Sequence, residues 1–263
     1  MSDAPNRPLE ASMGGIRAEL RLAASFLTIV PFVSRDGPPR ALDDESVAAS
    51  FGWFPLVGFA IAVGLVIEDV ILSRFFDLTI RSILIVLSLT IVTGALHLDG
   101  LADTADALGA GRDRARALVI LRDSRIGSFG AAAVFFALAL KVVALATLYG
   151  ARRYTAIFAA VGLARWAMVA VADRIPYLRA EGAGSALLSA DSEWRNLLIA
   201  SLTAVAAMLP LVSWTVLAAI IAAIVIVLAM RAFYRRWLGG VTGDLIGACG
   251  EVVEIAVLII FAR

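Results

Sequence analysis

The sequence contains one cysteine, one histidine and one lysine, and these shortages exclude several kinds of site. The single cysteine, Cys249, cannot form an intrachain disulfide, so the chain carries no mark of an oxidising compartment. The single lysine, Lys141, lies inside an apolar run, and a phosphate-binding GxxxxGK[ST] loop is therefore absent. With only His97, the chain also lacks the two-histidine HExxH zinc motif.

Charged residues are scarce as well. They make up 17% of 263 residues, whereas hydrophobic residues reach 61% and the mean hydropathy is +0.90. This composition lies outside the range of soluble domains and predicts a polytopic membrane protein. Apolar runs of roughly 18 to 25 residues match the length of helix that crosses ~30 Å of hydrocarbon. No segment combines a basic surface with interleaved aromatic residues, so nucleic-acid binding is not expected.

The run lengths predict an all-α fold, with the whole chain forming one membrane-embedded helical bundle. Residues 18–33 are apolar but short, contain Arg21 and reach Pro31, so we predict an interfacial or re-entrant helix there. Residues 195–231 are too long for one crossing and contain Pro210, which predicts a tight hairpin. About seven crossings are predicted in all: 48–72, 80–98, 127–149, 153–173, 195–210, 214–231 and 245–262.

The distribution of basic residues predicts the orientation of these crossings, because arginine and lysine near span ends are retained in the cytoplasm. Most of the 23 arginine and lysine residues fall on one side of the predicted bundle. The acidic and basic segment 99–126 and the start of the segment 231–254 both lie on that side. The cytoplasmic segments are therefore predicted to be 1–47, 99–126, 174–195 and 231–244.

Three aspartates lie in the stretch HLDGLADTADAL, directly after the second predicted span. Asp99, Asp103 and Asp106 are spaced i, i+4, i+7, which on a helix places them within about 60° of one another. Carboxylates this close repel one another unless a cation neutralises them. Oxygen ligands favour Mg²⁺, Mn²⁺ or Ca²⁺, and Mg²⁺ usually keeps positions free for substrate phosphates. The alternative interpretation is a solvated acidic loop paired with neighbouring arginines.

The stretch LRDSRIGSFG precedes the third predicted span and has the features of an anion site. Ser124 and the first free backbone N–H groups of the following helix are placed to receive an anion. Arginine can bind a phosphate through two hydrogen bonds, so Arg122 and Arg125 are further candidates, with Asp123 between them. The alternative is that both arginines are interfacial anchors.

The stretch GGVTGDLIGACGEVVEIAV carries a second acidic group near the end of the chain. Asp244, Glu251 and Glu254 are spaced i, i+7, i+10, an arc of about 80° on a helix. Glutamates inside hydrocarbon are costly and indicate function, with a metal ion or a basic partner expected. Its glycines serve either close helix packing or close approach of a ligand. The ligand-binding candidates in this stretch are Gly240, Thr242 and Gly243.

Three basic side chains complete the set of candidates. His97 lies at a span end, where it is either a base or phosphate ligand, or an interfacial polar group. Lys141 and Arg165 lie within predicted spans, where they either pair with Glu251 or Glu254 or neutralise other buried charges.

Acidic clusters and arginines on one membrane face predict metal-assisted displacement at a phosphorus of a diphosphate. One or two metal ions neutralise the leaving phosphate. An attacking hydroxyl then needs mainly positioning and a group that accepts its proton. The candidates for that group are Asp106, Asp123 and His97. The membrane setting implies a bulky or lipid-associated substrate.

The motifs HLDGLADTADAL, RDSRIGSFG and GGVTGDLIGACGEVVE closely resemble those of the cobalamin synthase family, the adenosylcobinamide-GDP ribazoletransferases. The resemblance covers most of the chain and includes FPLVG at 54–58. Ala107 and Ala110 stand where glycine is expected in many relatives, a departure that leaves the acidic positions intact.

This resemblance implies a Mg²⁺-dependent transferase of the bacterial inner membrane, surrounded by lipid. It joins adenosylcobinamide-GDP to α-ribazole or its 5′-phosphate, forms adenosylcobalamin or its phosphate, and releases GMP. A homo-oligomer or a complex with other enzymes of the pathway is compatible with it, although no residue argues for either. Arg125 is then expected to contact the diphosphate. The implied metal ligands are Asp99, Asp103 and Asp106, with Asp244 and Glu251 at a second position.

Two other functions are weighed against this one. A CDP-alcohol phosphotransferase also uses spaced aspartates, but its pattern has DG, two residues and then AR, whereas this chain reads DGLADT. An ion-coupled transporter would use Glu251, Glu254 and Arg165 along a pathway. The sequence shows no clear inverted repeat, and its acidic clusters gather on one face, which favours an enzyme.

Overall fold

The computed structural model describes residues 7–30, 44–111, 113–123, 125–179 and 193–263. Within these ranges the chain is helical, and the only extended pairing is a single bridge between Tyr177 and Val241. The predicted all-α fold is confirmed. The helices are α1 (Arg7–Leu27), α2 (Asp44–Ser50), α3 (Phe54–Leu72), α4 (Leu78–Val92), α5 (Leu96–Leu108), α6 (Arg114–Ile120), α7 (Ser128–Ala146), α8 (Gly150–Ala172), α9 (Glu193–Met208), α10 (Trp214–Trp237) and α11 (Gly243–Phe261).

The predicted count of seven crossings is not confirmed. The α4 and α5 pair qualifies as a crossing only as a bent unit, which gives up to six in the described residues. The helix α11 matches the predicted span 245–262, but its 19 residues include three carboxylates. Five stretches are long and apolar enough to cross a membrane on their own: Ser46–Leu72, Ser128–Ala146, Gly150–Ala172, Trp194–Leu211 and Trp214–Trp237.

The prediction of one straight crossing over 80–98 is wrong, because the chain bends by 89° between α4 and α5. Gly94 and Ala95 both adopt left-handed backbone conformations, with φ of +59° and +57°. Two such residues in succession end one helix and send the next in a new direction. The aspartates of α5 therefore do not continue along the direction of α4, and three carboxylates in hydrocarbon would be costly.

Helix α8 forms the centre of the bundle. In its most apolar stretch, 83% of the residues are buried inside the protein, compared with 22–33% in the other four candidate crossings. Small residues allow this close packing, as at Gly162 against the ring of Phe59 and at Gly58 against Arg165. The surrounding helices therefore keep one face on α8 and turn the other outward.

The predicted division of 195–231 into two helices near Pro210 is confirmed. Helix α9 is followed by a 3₁₀ turn at Leu209–Leu211, and the hydroxyl of Ser213 caps α10 by accepting from the Val216 N–H. Helix α1 begins earlier than the predicted segment 18–33, and the last residues of that segment lie outside the described ranges. Among the described residues, α1 is not one of the candidate membrane crossings.

A buried ion cluster ties α3, α4 and α8 together at the end of the bundle away from α5. Asp69 and Arg153 are fully buried, and the Arg153 guanidinium donates to both Asp69 oxygens at 3.0 and 2.8 Å. Arg81 also pairs with Asp69, while Arg153 donates to the Ser82 hydroxyl at 3.0 Å. Each charge in this cluster therefore has partners within the protein.

Replacing Gly94 with alanine should destabilise the α4–α5 bend. A left-handed conformation costs a residue with a Cβ about 1–2 kcal/mol, and here the new methyl group would lie 2.7 Å from Cγ2 of Ile29. We expect a lower unfolding temperature of the detergent-solubilised protein. Gly64→Ala in α3 is the matched control, because a methyl group there meets open space. Equal unfolding temperatures for the two variants would contradict this account of the bend.

Candidate active site

The segments that follow α5, α8 and α10 converge at one end of the bundle. The indole of Trp237 donates to the Gly111 carbonyl at 3.2 Å. The N–H of Val241 donates to the Pro176 carbonyl at 2.9 Å, which joins the segment after α10 to the segment after α8. The sequence placed these segments on the same side of the bundle, and their meeting here confirms that part of the prediction.

Helix α5 lies directly against the first turn of α11. A Cβ at Gly100 would lie 2.7 Å from the carbonyl oxygen of Asp244, so only glycine permits this approach. The contact brings Asp244 close to Asp99 and Asp103, although the two motifs are far apart in sequence. We call Asp99, Asp103 and Asp244 the acidic cluster.

Mutual repulsion is evident within the acidic cluster. Partial burial and the neighbouring carboxylates of Asp99 and Asp244 raise the pKa of Asp103 to about 6, against a weaker opposing effect of Arg179. Burial likewise raises the pKa of Asp244, although Arg179 and the Thr242 hydroxyl oppose it. Burial and the repulsion between the carboxylates, only partly offset by Arg179, therefore both disfavour their charged forms.

Arg179 is the residue that sequence reasoning missed. Its guanidinium Nη2 lies 2.5 Å from Asp244 Oδ2 and donates to the Leu121 carbonyl at 2.6 Å. In the sequence it is one more arginine in a segment predicted to be cytoplasmic, and no spacing relates it to Asp244. Only the tertiary fold reveals the pair.

Asp106 occupies the helix start that the sequence assigned to a bound anion. Its carboxylate accepts from the N–H of Gly127 at 2.7 Å and from the N–H of Gly130 at 2.9 Å, at the N-terminus of α7. A Cβ on either glycine would overlap this carboxylate. An anion is therefore bound at this N-terminus, but it is the protein's own, and it joins α5 to α7.

Arg122 and Arg125 lie on the surface. The Arg125 side chain is 86% exposed and pairs with Asp123 at 2.7 Å, and its hydrogen bonds hold the pKa of Asp123 below the ordinary value. Arg122 is exposed as well. Ser124 lies outside the described residues. In this conformation Arg125 pairs with Asp123 and is not part of the acidic cluster.

The predicted ligand contacts in GGVTGD have different local roles. Gly240 packs against the Pro176 carbonyl with no room for a Cβ. Thr242 caps α11 by accepting from the Leu245 N–H at 3.4 Å. At Gly243 the nearest atom to an added Cβ would be the Tyr177 hydroxyl, at 3.7 Å. Gly240 and Thr242 therefore shape the loop, whereas Gly243 leaves space beside the acidic cluster.

The assignment of Glu251 to a metal position shared with Asp244 does not agree with the geometry. Seven residues separate the two along α11, a rise of about 10.5 Å. Lys141 Nζ lies 2.6 Å from Glu251 and 2.7 Å from Glu254, which also pairs with Arg165 at 2.7 Å. All four side chains are nearly fully buried. The predicted pairing of these glutamates with Lys141 and Arg165 is thus confirmed, and lysine takes the place proposed for a metal.

His97 lies in the first turn of α5 and is only 3% exposed. Its Nε2 has no hydrogen-bond partner among the described residues, and its backbone lies against Gly247 of α11. It is close enough to interact electrostatically with Arg165 and Glu254. His97 therefore lies near the buried ion pairs of Glu251 and Glu254 and does not reach the exposed side of the acidic cluster.

A metal ion was expected at the aspartates. Within the described part of the chain, no three carboxylate, histidine or cysteine side chains stand close enough to enclose one. Asp106 and Asp244 instead direct oxygens to protein donors. The donor chemistry nonetheless fits a hard divalent cation, because the acidic cluster offers only carboxylate oxygens and carries unrelieved negative charge.

Removing Lys141 should destabilise the protein strongly. Lys141→Met leaves Glu251 as a buried charge without its cation, a change that costs roughly 3–5 kcal/mol in comparable pairs. Adding Glu251→Gln removes that charge and should restore part of the loss. The exposed pair provides the control, since Arg125→Ala should change stability little. Unfolding in a denaturing detergent measures all three, and a Lys141→Met variant as stable as the wild type would contradict the ion pairing.

Comparison with known proteins places the chain in a family. The family model described as cobalamin-5-phosphate synthase matches residues 19–262. Three proteins named adenosylcobinamide-GDP ribazoletransferase are similar over most of their length. The protein of Syntrophobacter fumaroxidans is 40% identical over 90% of this chain and 94% of its own. Those of Chlorobaculum parvum and Citrobacter koseri are 37% and 33% identical, over 91% and 89% of this chain and 93% and 97% of their own. No solved structure matches significantly. The chain belongs to the cobalamin-5-phosphate synthase family.

Proposed function

We propose that this chain is an adenosylcobinamide-GDP ribazoletransferase, the activity for which its relatives are named, acting in the assembly of the cobalamin nucleotide loop. The observation that carries the proposal is the contact of Gly100 with the backbone of Asp244, which assembles the acidic cluster from two distant motifs. A cluster of oxygen ligands at the end of a membrane bundle suits chemistry on a diphosphate attached to a large substrate.

The reaction is a displacement at phosphorus. The hydroxyl of α-ribazole, or of its 5′-phosphate, forms a new P–O bond to the phosphorus that bears the cobinamide. The bond from that phosphorus to the bridging oxygen breaks, and GMP leaves with the electron pair. The hydroxyl proton passes to a carboxylate of the protein. Positioning and charge neutralisation supply most of the acceleration in reactions of this kind.

Mg²⁺ is the proposed cofactor. Asp99, Asp103 and Asp244 would hold it after their side chains move closer together than they stand here. When bound, it neutralises the diphosphate and the leaving GMP. The requirement for a cation follows from the charges, because an uncompensated acidic cluster would repel an anionic substrate. Glu251 takes no part in this set, since Lys141 neutralises it.

Asp106 is the proposed proton acceptor among the three candidates. Its two N–H bonds leave a second lone pair on each oxygen, and it lies on the same face of α5 as Asp99 and Asp103. Asp123 is a poorer base, because Arg125 holds its pKa below the ordinary value. His97 is buried beneath the acidic cluster.

We place the acidic cluster on the cytoplasmic side of a bacterial inner membrane. The three segments that meet there, 99–126, 174–195 and 231–244, carry 11 of the 22 arginines of the chain, and basic residues are retained on that side. Lipid then surrounds the outward faces of the bundle. The large corrinoid would meet the protein at the membrane surface.

Purified protein in detergent, given adenosylcobinamide-GDP, α-ribazole 5′-phosphate and Mg²⁺, should release GMP and form a cobalamin product. Excess chelator should stop the release, because the acidic cluster would then repel the diphosphate. Nucleotide release is followed by chromatography. If no GMP appears, while CDP-diacylglycerol and an alcohol yield CMP, then the metal chemistry stands and the proposed substrates are wrong.

Asp103→Asn should lower turnover by at least about 100-fold, because even groups that only support a metal ligand typically contribute 10–100-fold. Membrane insertion should be unchanged. Asp77→Asn is the matched control: Asp77 caps α4 through the N–H groups of Thr79 and Ile80, and asparagine caps a helix equally well. A fully active Asp103→Asn variant would remove Asp103 from the metal site.

A further inference from the structure

Arg179, in the segment after α8, contacts both the segment after α6 and the first turn of α11. It follows the bridge between Tyr177 and Val241, and its Nη2 contacts both the Leu121 carbonyl and the Asp244 carboxylate. The Arg179 side chain is 30% exposed and that of Asp244 only 16% exposed. A half-buried cation thus stands at the edge of the acidic cluster, held by a carbonyl on one side and a carboxylate on the other.

The charge of Arg179 acts on more than Asp244. It opposes the repulsion that Asp99, Asp106 and Asp244 exert on Asp103 as well. Arg125, the arginine that the sequence favoured for the diphosphate, differs from Arg179 in its exposure and in its partner. It is 86% exposed, and the aspartate it pairs with, Asp123, is not part of the acidic cluster. Arg179 is therefore the better placed of these two arginines to respond to a change of charge in the acidic cluster.

We propose that Arg179 is the counter-ion of the acidic cluster before a divalent cation binds, and that its guanidinium then transfers to the diphosphate of the substrate. The inference rests on the proposed function, which supplies the diphosphate. An oxygen of Asp244 that ligates a cation no longer favours the guanidinium, because the two positive charges repel. The bond to the Leu121 carbonyl keeps the arginine beside the site during the exchange.

Arginine is suited both to pairing with Asp244 and to binding the diphosphate. Its planar guanidinium pairs with one carboxylate and equally well with two phosphate oxygens through parallel hydrogen bonds. Lysine would supply the same charge as a single point without the fork. Charge and fork can therefore be separated by substitution.

The test uses Arg179→Gln and Arg179→Lys, with Arg235→Gln and Arg235→Lys as matched controls. Arg235 lies at the same end of the bundle and donates to the Arg174 carbonyl at 2.8 Å, away from the acidic cluster. Binding of Mn²⁺ to the purified proteins in detergent is followed by electron paramagnetic resonance without substrate. GMP release with Mg²⁺ is measured separately.

Arg179→Gln should bind Mn²⁺ about 3- to 10-fold more tightly than the wild type, because the competing cation is gone. Its kcat/KM should fall about 100-fold, because the diphosphate loses a charged two-point contact. Arg179→Lys keeps the charge, so its Mn²⁺ affinity should stay within about 2-fold while kcat/KM falls about 10-fold. The Arg235 variants should match the wild type in both measurements.

Unchanged or weaker Mn²⁺ binding by Arg179→Gln would overturn the counter-ion role. Should that variant not fold, Arg179→Lys decides: a loss of Mn²⁺ affinity and turnover together, with a lower unfolding temperature, would mean that Arg179 is only structural. Tighter Mn²⁺ binding with full turnover would overturn the transfer to the diphosphate. If the wild type binds Mn²⁺ and Arg179→Gln binds it more tightly, but neither releases GMP, then the proposed function fails and the counter-ion role stands.

Discussion

The close approach of α5 to α11 at Gly100 is the constraint on which the site depends. A side chain at this position would meet the backbone of Asp244 at 2.7 Å and force the two helices apart. Separated helices would leave Asp99 and Asp103 on one element and Asp244 on another, with neither set able to share a cation. A residue without a side chain thus determines whether the carboxylates of two distant motifs act together.

Helix N-termini make this concentration of negative charge tolerable. Asp99 lies in the first turn of α5 and Asp244 in the first turn of α11, while the carboxylate of Asp106 caps α7. Each helix start offers unpaired N–H groups and the positive end of a dipole, which stabilises a nearby anion by about 0.3–1 kcal/mol. The fold therefore directs three helix starts toward one acidic region and partly offsets the repulsion before any cation arrives.

Local spacing predicted the face that Asp99, Asp103 and Asp106 share, because residues i, i+4 and i+7 of a helix coincide in direction whatever surrounds them. It did not predict their partners. Arg179 meets Asp244 only through the tertiary fold, and no local pattern relates the two. The sequence did not predict the bend after α4 either, because one of its two left-handed residues is Ala95, and alanine seldom adopts this conformation.

The two charged layers of α11 solve the problem of charge in a membrane differently. Glu251 and Glu254 face Lys141 and Arg165, so the deep layer contains two anions and two cations and has no need of an ion from solution. The acidic cluster above it has three carboxylates and the charge of Arg179. Because a neutral layer binds no cation and an under-neutralised layer attracts one, a metal ion entering this end of the bundle should stop at the upper layer. Under the proposed function, the position of Lys141 would therefore keep the metal chemistry at the membrane surface, where a large diphosphate substrate could reach it.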